Sequence, residues 1–429
     1  MSMTNEIYSQ LLKEKMYFDQ LDNGLKVYTM PMEGYTKQYA IFATNYGSID
    51  SKFKIMGEEK IIEVPDGIAH FLEHKLFEER DGSIFDKFSE LGSNVNAYTN
   101  FNSTCYLFTS TDRFLENLEL LVKFVQSPYF TDENVEKEKG IITQEINMYK
   151  DNPQWKVFFN ALRAMYHNHP VKIDIAGTVD SISRITKEDL YTCYDNFYSP
   201  HNMTLFIAGD IDHAEALKVI KMSMNERPSN AKIIQRVYPE ETNSIVQDTI
   251  EEHLDVSIPL FNIAYKDILN NSTEDKLLNR DISTKILLDM LFGKSSELYS
   301  SLYEEGLIND TFEHEFTGEL GYGYSMMGGE SKDPLLIRDR IHKHIELLKK
   351  VGLSKEDFER IKRKQIGEHL GYYNSVEFIA TTFIAYHFKG IQLFDYIKAI
   401  KKIQFSDIEK RFLEHFCNSQ SILSIISPK

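Results

Sequence analysis

The second half of this chain repeats the first, and that repeat limits its fold more than any other feature. Ile185, Asp189, Leu190, Tyr194, Tyr198, Leu205 and Ile207 recur at one constant offset as Ile403, Asp407, Ile408, Phe412, Phe416, Leu423 and Ile425. A separate stretch, residues 131–146 (TDENVEKEKGIITQEI), overlays 354–369 (SKEDFERIKRKQIGEH) at nearly the same offset, with Glu136 on Glu359 and Glu145 on Glu368. Self-similarity at a fixed period is the trace of duplication. Two unrelated segments agreeing on nearly one offset weigh against a chance likeness of charged amphipathic helices. At 429 residues the chain also exceeds what a single core supports. The expectation is a tandem pair of α+β domains, residues 1–230 and 231–429. They would meet in the polar stretch 227–243, where Pro228-Ser-Asn and Pro239-Glu-Glu-Thr-Asn supply turn residues.

Local patterns fill in the first repeat. Residues 17–28 carry an Asn-Gly turn between short apolar runs and read as a hairpin; 37–45 continues as a strand. A helix is expected over 67–77, capped by the Asp66 carboxylate. Residues 94–110, rich in Thr, Tyr and Phe, suggest paired strands. Helical spacing returns in 114–126, 132–149 and 155–165, and 205–208 is a strand ending at Gly209.

Charge and composition exclude several classes of function. The formal net charge is −17, which argues against nucleic-acid binding, since phosphate contacts need a basic face. No run of eighteen apolar residues is present, so no membrane insertion is expected. The polar start MSMTNEIYSQLLKEK lacks the basic-then-apolar order of a signal peptide. Cys105, Cys193 and Cys417 are too scattered for a disulfide framework. The expected compartment is the cytoplasm.

The sharpest local signal is His70-Phe-Leu-Glu73-His74. Residues at i and i+4 share a helix face, so both imidazoles can address one ion. Glu73 lies close enough to reach a water at that ion without being a ligand. This His-x-x-Glu-His order is the reverse of the familiar zinc-peptidase helix. Thirteen histidines and 65 acids in the chain give roughly 0.06 chance occurrences of a His-x-x-acid-His pattern. The neighbours Ile68, Ala69, Phe71, Leu72, Leu76 and Phe77 make the helix apolar on most sides, so its polar groups need partners, and Zn²⁺ supplies one. A catalytic zinc takes three protein ligands. Glu145 is the candidate third. Glu138 stands seven residues earlier, two turns away on the same face, so one could bind metal while the other holds a ligand histidine. Spacing alone does not separate this pair from a solvated acidic stripe.

With EKEKGIITQEI placing Glu145 well downstream of His74, the chain resembles the pitrilysin/insulinase family of inverted-motif zinc peptidases. It is most like the short bacterial members related to mitochondrial processing peptidase. The likeness extends over nearly the whole chain. It takes in Asn96-Ala-Tyr-Thr99 with Thr104 and Tyr106, His169-Pro170 leading to Ile175-Ala-Gly-Thr178, Tyr198-Ser-Pro-His-Asn-Met203, and Gly293-Lys-Ser-Ser-Glu-Leu298. The resemblance implies two αβ repeats, each an antiparallel sheet with helices on one side, forming half of a clam-shell chamber around an unfolded peptide. It implies His70, His74 and Glu145 as zinc ligands, Glu73 as general base and Glu138 as the carboxylate behind a ligand. Asn96 and Ala97 would lie on the edge strand that pairs with the substrate backbone.

One departure matters. Active single-chain members carry, in the second half, an Arg and, seven residues on, a Tyr that bind the carbonyl and the developing oxyanion. Here Leu302 or Tyr303 stands where Arg is expected, and Asn309 or Asp310 where Tyr is expected. The second repeat also has no metal motif, with Ile286-Leu-Leu-Asp-Met-Leu291 in that region. The expected protein is therefore a zinc endopeptidase subunit completed by a paralogous partner as a heterodimer, with a homodimer as the alternative assembly. The competing reading is a peptide-binding or scaffold subunit that keeps its zinc and cleaves little. Two other features carry less. The glycines of TGELGYGYSMMGGES lack the Gly-Lys-Ser/Thr ending of a phosphate loop and read as a strand with tight turns, and His167-Asn-His169 reads as a loop.

Overall fold

The computed structural model describes residues 4–80, 82–225, 233–268 and 274–429. Pro228-Ser-Asn and the expected join at 230/231 lie outside the described residues. The chain forms two compact units, and neither follows a half of the sequence. The first comprises Met1–Ile146, Ile173–Tyr238 and Tyr372–Phe388; the second comprises Asn147–Lys172, Pro239–Gly371 and Lys389–Lys429.

The first unit is built on a seven-stranded sheet. Its order is Asn5–Ser9, Glu14–Gln20, Lys26–Pro31, Met203–Gly209, Gln38–Thr44, Thr104–Ser110, Asn94–Thr99. Lys26–Pro31 and Met203–Gly209 run parallel, and every other neighbour is antiparallel. The Asn-Gly hairpin is present, with Gly24 at φ 92 in the left-handed region that the turn requires.

The second unit has a five-stranded sheet in the order Thr249–Leu254, Ser421–Pro428, Leu260–Lys266, Gly323–Glu330, Glu313–Gly318. It again has one parallel pair, first in the order, followed by antiparallel neighbours. This order matches the last five strands of the first sheet. The offset that relates the two halves of the sequence carries Lys26–Pro31 onto Thr249–Leu254 and, within a few positions, Asn94–Thr99 onto Glu313–Gly318. The glycine-rich stretch expected as strand and turn forms Glu313–Gly318 and Gly323–Glu330.

Strand alternation gives each sheet two apolar faces to cover. In the first unit Phe42, Tyr106, Phe108, Leu205 and Ile207 join one core with Phe71 and Leu72 of the helix Ile68–Leu76, and with Leu118 and Leu121 of Phe114–Val125. The alternate residues Tyr28 and Phe206 point the other way. There they meet Phe383 of the helix Val376–His387 at ring separations of 4.6 and 4.3 Å. That helix comes from the second half of the sequence. In the second unit Tyr265 packs on Phe416 at 4.8 Å on one face, while Tyr324 meets Phe158 of the helix Pro153–Met165 at 6.3 Å on the other. This helix comes from the first half, where the repeat offset makes it the counterpart of Val376–His387. Each sheet is thus completed by a helix from the opposite repeat, which no local pattern announces.

Phe383→Ala should remove the ring that both Tyr28 and Phe206 pack against. A loss of about 3–5 kcal/mol is expected, measured as a lower urea midpoint.

Candidate metal centre

The helix Ile68–Leu76 does not begin as expected. No side chain caps it: its N-cap is Gly67, at φ 88, and Asp66 accepts none of the first amides. The reason is tertiary. A Cβ on Gly67 would sit 2.4 Å from the carbonyl oxygen of Ala176, and one on Gly177 would sit 2.5 Å from that of Asp66. Two glycines thus let the segments 66–67 and 176–177 close on each other and set where the helix starts.

From that start the helix buries Ile68, Ala69, Phe71, Leu72 and Leu76. His70, Glu73 and His74 are directed toward the helix Asp132–Lys150 and the strand Asn94–Thr99. Glu145 Oε1 lies 3.7 Å from His70 Nε2, and Glu145 Oε2 lies 3.6 Å from His74 Nε2. These gaps are too long for hydrogen bonds. Two donors each about 2.1 Å from one ion at a tetrahedral angle stand about 3.4 Å apart, so the spacing suits a shared cation. Among the described residues, His70, His74 and Glu145 are the group whose ligand atoms converge in this way, all within 4.8 Å of one another.

Glu138 is elsewhere. Its Oε1 lies 3.1 Å from His74 Nδ1, the opposite side of the ring from Glu145. If Nδ1 carries the proton it donates to Glu138, and the Nε2 lone pair is left for an ion. The structure therefore separates the two glutamates that spacing alone left equivalent. Glu73 is buried, and Thr99 Oγ1 donates to its Oε2 at 2.6 Å. Thr99 and the buried Lys75 are site residues that the sequence pattern did not single out. Thr99 sits in a strand rich in Thr and Tyr and carries no signal of its own. Lys75, a charged residue on an otherwise apolar stretch of helix, was a usable one.

The electrostatics follow from burial. Desolvation, reinforced by His74, takes His70 down to about 3, so its neutral imidazole is the stable form. Its Nδ1 is buried with no hydrogen-bond partner among the described residues. Burial also pulls on His74, but the bond to Glu138 and the charges of Glu73, Glu138 and Glu145 more than offset it and hold its pKa above the ordinary value. Burial raises Glu73 above the usual carboxylate range despite the Thr99 bond, and raises Glu145 despite His74.

Asn96 and Ala97 fall on the outer strand of the seven-stranded sheet, paired among the described residues with Leu107 and Tyr106. The Ala97 amide donates to Asn96 Oδ1 at 2.9 Å. In the second unit Leu302 is buried, Tyr303 is exposed on the helix Glu297–Glu304, and the Asn309 amide donates to Glu330 at 3.0 Å. The loop His167-Asn-His169 is tied by its backbone N–H groups to the Glu241 carboxylate, at 2.6–3.0 Å.

The profile described as Insulinase (Peptidase family M16) matches residues 62–179, and that of the Peptidase M16 inactive domain matches 184–365. An uncharacterized zinc protease of Bacillus subtilis (strain 168), YmfH, is 41% identical over 430 residues, covering 100% of both chains. The chain belongs to peptidase family M16, the insulinase family. A crystal structure of an M16-like peptidase from Alicyclobacillus acidocaldarius is 37% identical with a TM-score of 0.94, covering 99% of this chain and 100% of that one. The periplasmic protease PqqL of Escherichia coli shares the M16 fold at 17% identity and a TM-score of 0.75. All of this chain aligns with 48% of PqqL. No described helix is long and apolar enough to cross a membrane.

The depressed pKa of His70 gives a sign for pH dependence. Between 6.5 and about 3 the unfolded chain binds a proton that the folded site refuses, so stability rises with pH in that window. The contribution is complete above 6.5 and is lost as pH falls toward about 3. The melting temperature of the metal-free protein should drop across this range, and less steeply in His70→Phe.

Proposed function

We propose that the protein is a zinc metalloendopeptidase subunit that cleaves peptides or unfolded segments and needs a partner subunit to complete its active site. The observation carrying this reading is the convergence of His70 Nε2, His74 Nε2 and Glu145 beside a buried Glu73. Two imidazoles and one carboxylate are a donor set typical of catalytic zinc. Zinc, when bound, supplies an acidified water and a Lewis acid for the scissile carbonyl. Glu73, buried beside these three groups, would take a proton from the attacking water and return it to the leaving nitrogen. Burial raises the Glu73 pKa, which favours uptake of a proton by its carboxylate. Thr99 orients its carboxylate. The outer edge of Asn94–Thr99, unpaired among the described residues, with Asn96 and Ala97, offers the substrate backbone a strand to pair with. The names of the relatives support zinc and proteolysis.

The partner is inferred from what the second half lacks. Leu302 and Asn309, or Tyr303 and Asp310, stand in place of an Arg and a Tyr seven residues on, and none of these side chains can supply the charge of a guanidinium at a developing oxyanion. PqqL, about twice as long, shares the fold, which supports a chamber made from two such halves.

Two experiments test this. Glu73→Gln should keep one zinc per chain, by metal analysis, and abolish turnover; full activity in that variant would remove Glu73 from the chemistry. The purified chain alone should cleave a quenched peptide library weakly or not at all. Activity should appear on mixing with a similar-sized family member that carries the Arg and Tyr, as a 1:1 complex. Turnover of roughly 1–10³ s⁻¹ by the chain free of any partner would overturn the half-site reading.

A further inference from the structure

Lys75 follows His74 on the motif helix, and its side chain is 0% exposed. Lysine is almost never fully buried unless paired. Two carboxylates face this one. Glu78 accepts a hydrogen bond from Nζ, and Glu138 Oε2 lies 3.7 Å away across the gap to the helix Asp132–Lys150. The other oxygen of that same carboxylate, Oε1, faces His74 Nδ1 at 3.1 Å. Glu138 is therefore gripped at both oxygens, by an imidazole on one side and an ammonium on the other.

We propose that Lys75 is a positioning residue for the metal centre, acting through Glu138. Its ammonium holds Oε2, and this turns Oε1 toward His74 Nδ1 and fixes the tautomer that leaves Nε2 free. This rests on the reading of His70, His74 and Glu145 as zinc ligands. The charge pattern points the same way. Glu73, Glu78, Glu138 and Glu145 crowd one small region, and Lys75 stands among them as a cation. An apolar side chain of similar length would fill a buried position on this largely apolar helix with no desolvation cost, so packing does not account for a lysine there. Without the ammonium, the Glu138 carboxylate loses its second anchor and can rotate away from the imidazole. A carboxylate or carbonyl behind a ligand histidine is what holds the ring in its ligating orientation.

The test is zinc affinity, measured by competition with a chromogenic chelator, for the parent chain, Lys75→Met, Glu138→Ala and the double variant. Lys75→Met is expected to weaken zinc binding about 10–100-fold, the usual cost of losing an outer partner of a ligand. Glu138→Ala should do the same. The double variant should bind no more weakly than Glu138→Ala alone, because the lysine acts through that carboxylate. Additive losses, or Lys75→Met binding within about twofold of the parent, overturn the proposal. Glu78→Gln is a second probe that does not disturb the helix interior, since Glu78 is 35% exposed. It leaves Glu138 as the sole carboxylate on the ammonium, so zinc affinity should be retained. A loss matching that expected for Lys75→Met would assign the lysine to Glu78 and overturn the proposal even if the methionine variant does not fold. His70→Ala in the same assay isolates the underlying reading: parental affinity in that variant would mean the ligand assignment itself had failed.

Discussion

The contact between His74 Nδ1 and Glu138 is the interaction on which the site depends. An imidazole has two nitrogens, and what occupies one decides what the other can do. If Nδ1 donates to that carboxylate, Nε2 keeps its lone pair, and it faces Glu145 Oε2 at 3.6 Å. The apolar helix makes this contact matter. In water an imidazole rotates freely and finds a partner anywhere. On a helix that buries Phe71, Leu72 and Leu76, each polar atom must be met by a specific group or left at a cost of a few kcal/mol.

Burial also divides labour between chemically similar groups. Two histidines one turn apart differ in charge preference: desolvation drives His70 toward neutrality, while the bond to Glu138 and the charges of Glu73, Glu138 and Glu145 hold His74 above the ordinary value. Three glutamates differ for the same reason. Glu138 meets the back of a ring, Glu145 faces both Nε2 atoms, and Glu73 is tied to a strand hydroxyl. Residue type is constant across each set, and position in a desolvated volume supplies the distinction.

The glycine pairing at the start of the motif helix shows how the fold sets this geometry. Gly67 and Gly177 permit two backbone segments to approach within distances that any side chain would block. The helix therefore begins at Ile68 without a side-chain cap, and its orphan amides do not depend on Asp66. The sheet does comparable work from the other side. Thr99 reaches Glu73 because Asn94–Thr99 is registered against Thr104–Ser110, with Thr99 opposite Thr104.

Much of this was legible in the amino acids themselves. Helical period alone puts His70 and His74 on one face and Glu138 and Glu145 on another, since 3.6 residues per turn is a local property of the backbone. The duplication was equally visible, because equivalent strands and helices keep their apolar spacing at a nearly constant offset. Which glutamate meets which nitrogen was not visible, as both lie on the same helical stripe and only the approach of two distant helices distinguishes them. Nor was the exchange of helices between repeats. Pro153–Met165 and Val376–His387 look like ordinary members of their own halves, yet each covers the sheet built mainly from the other repeat, within one unit. The sequence by itself determined the elements, their repetition and the residue types of the candidate metal centre, all of which depend on patterns carried along the chain. The tertiary structure decided the partners, because burial pairs groups by proximity in space, and proximity between distant stretches of chain leaves no periodic trace.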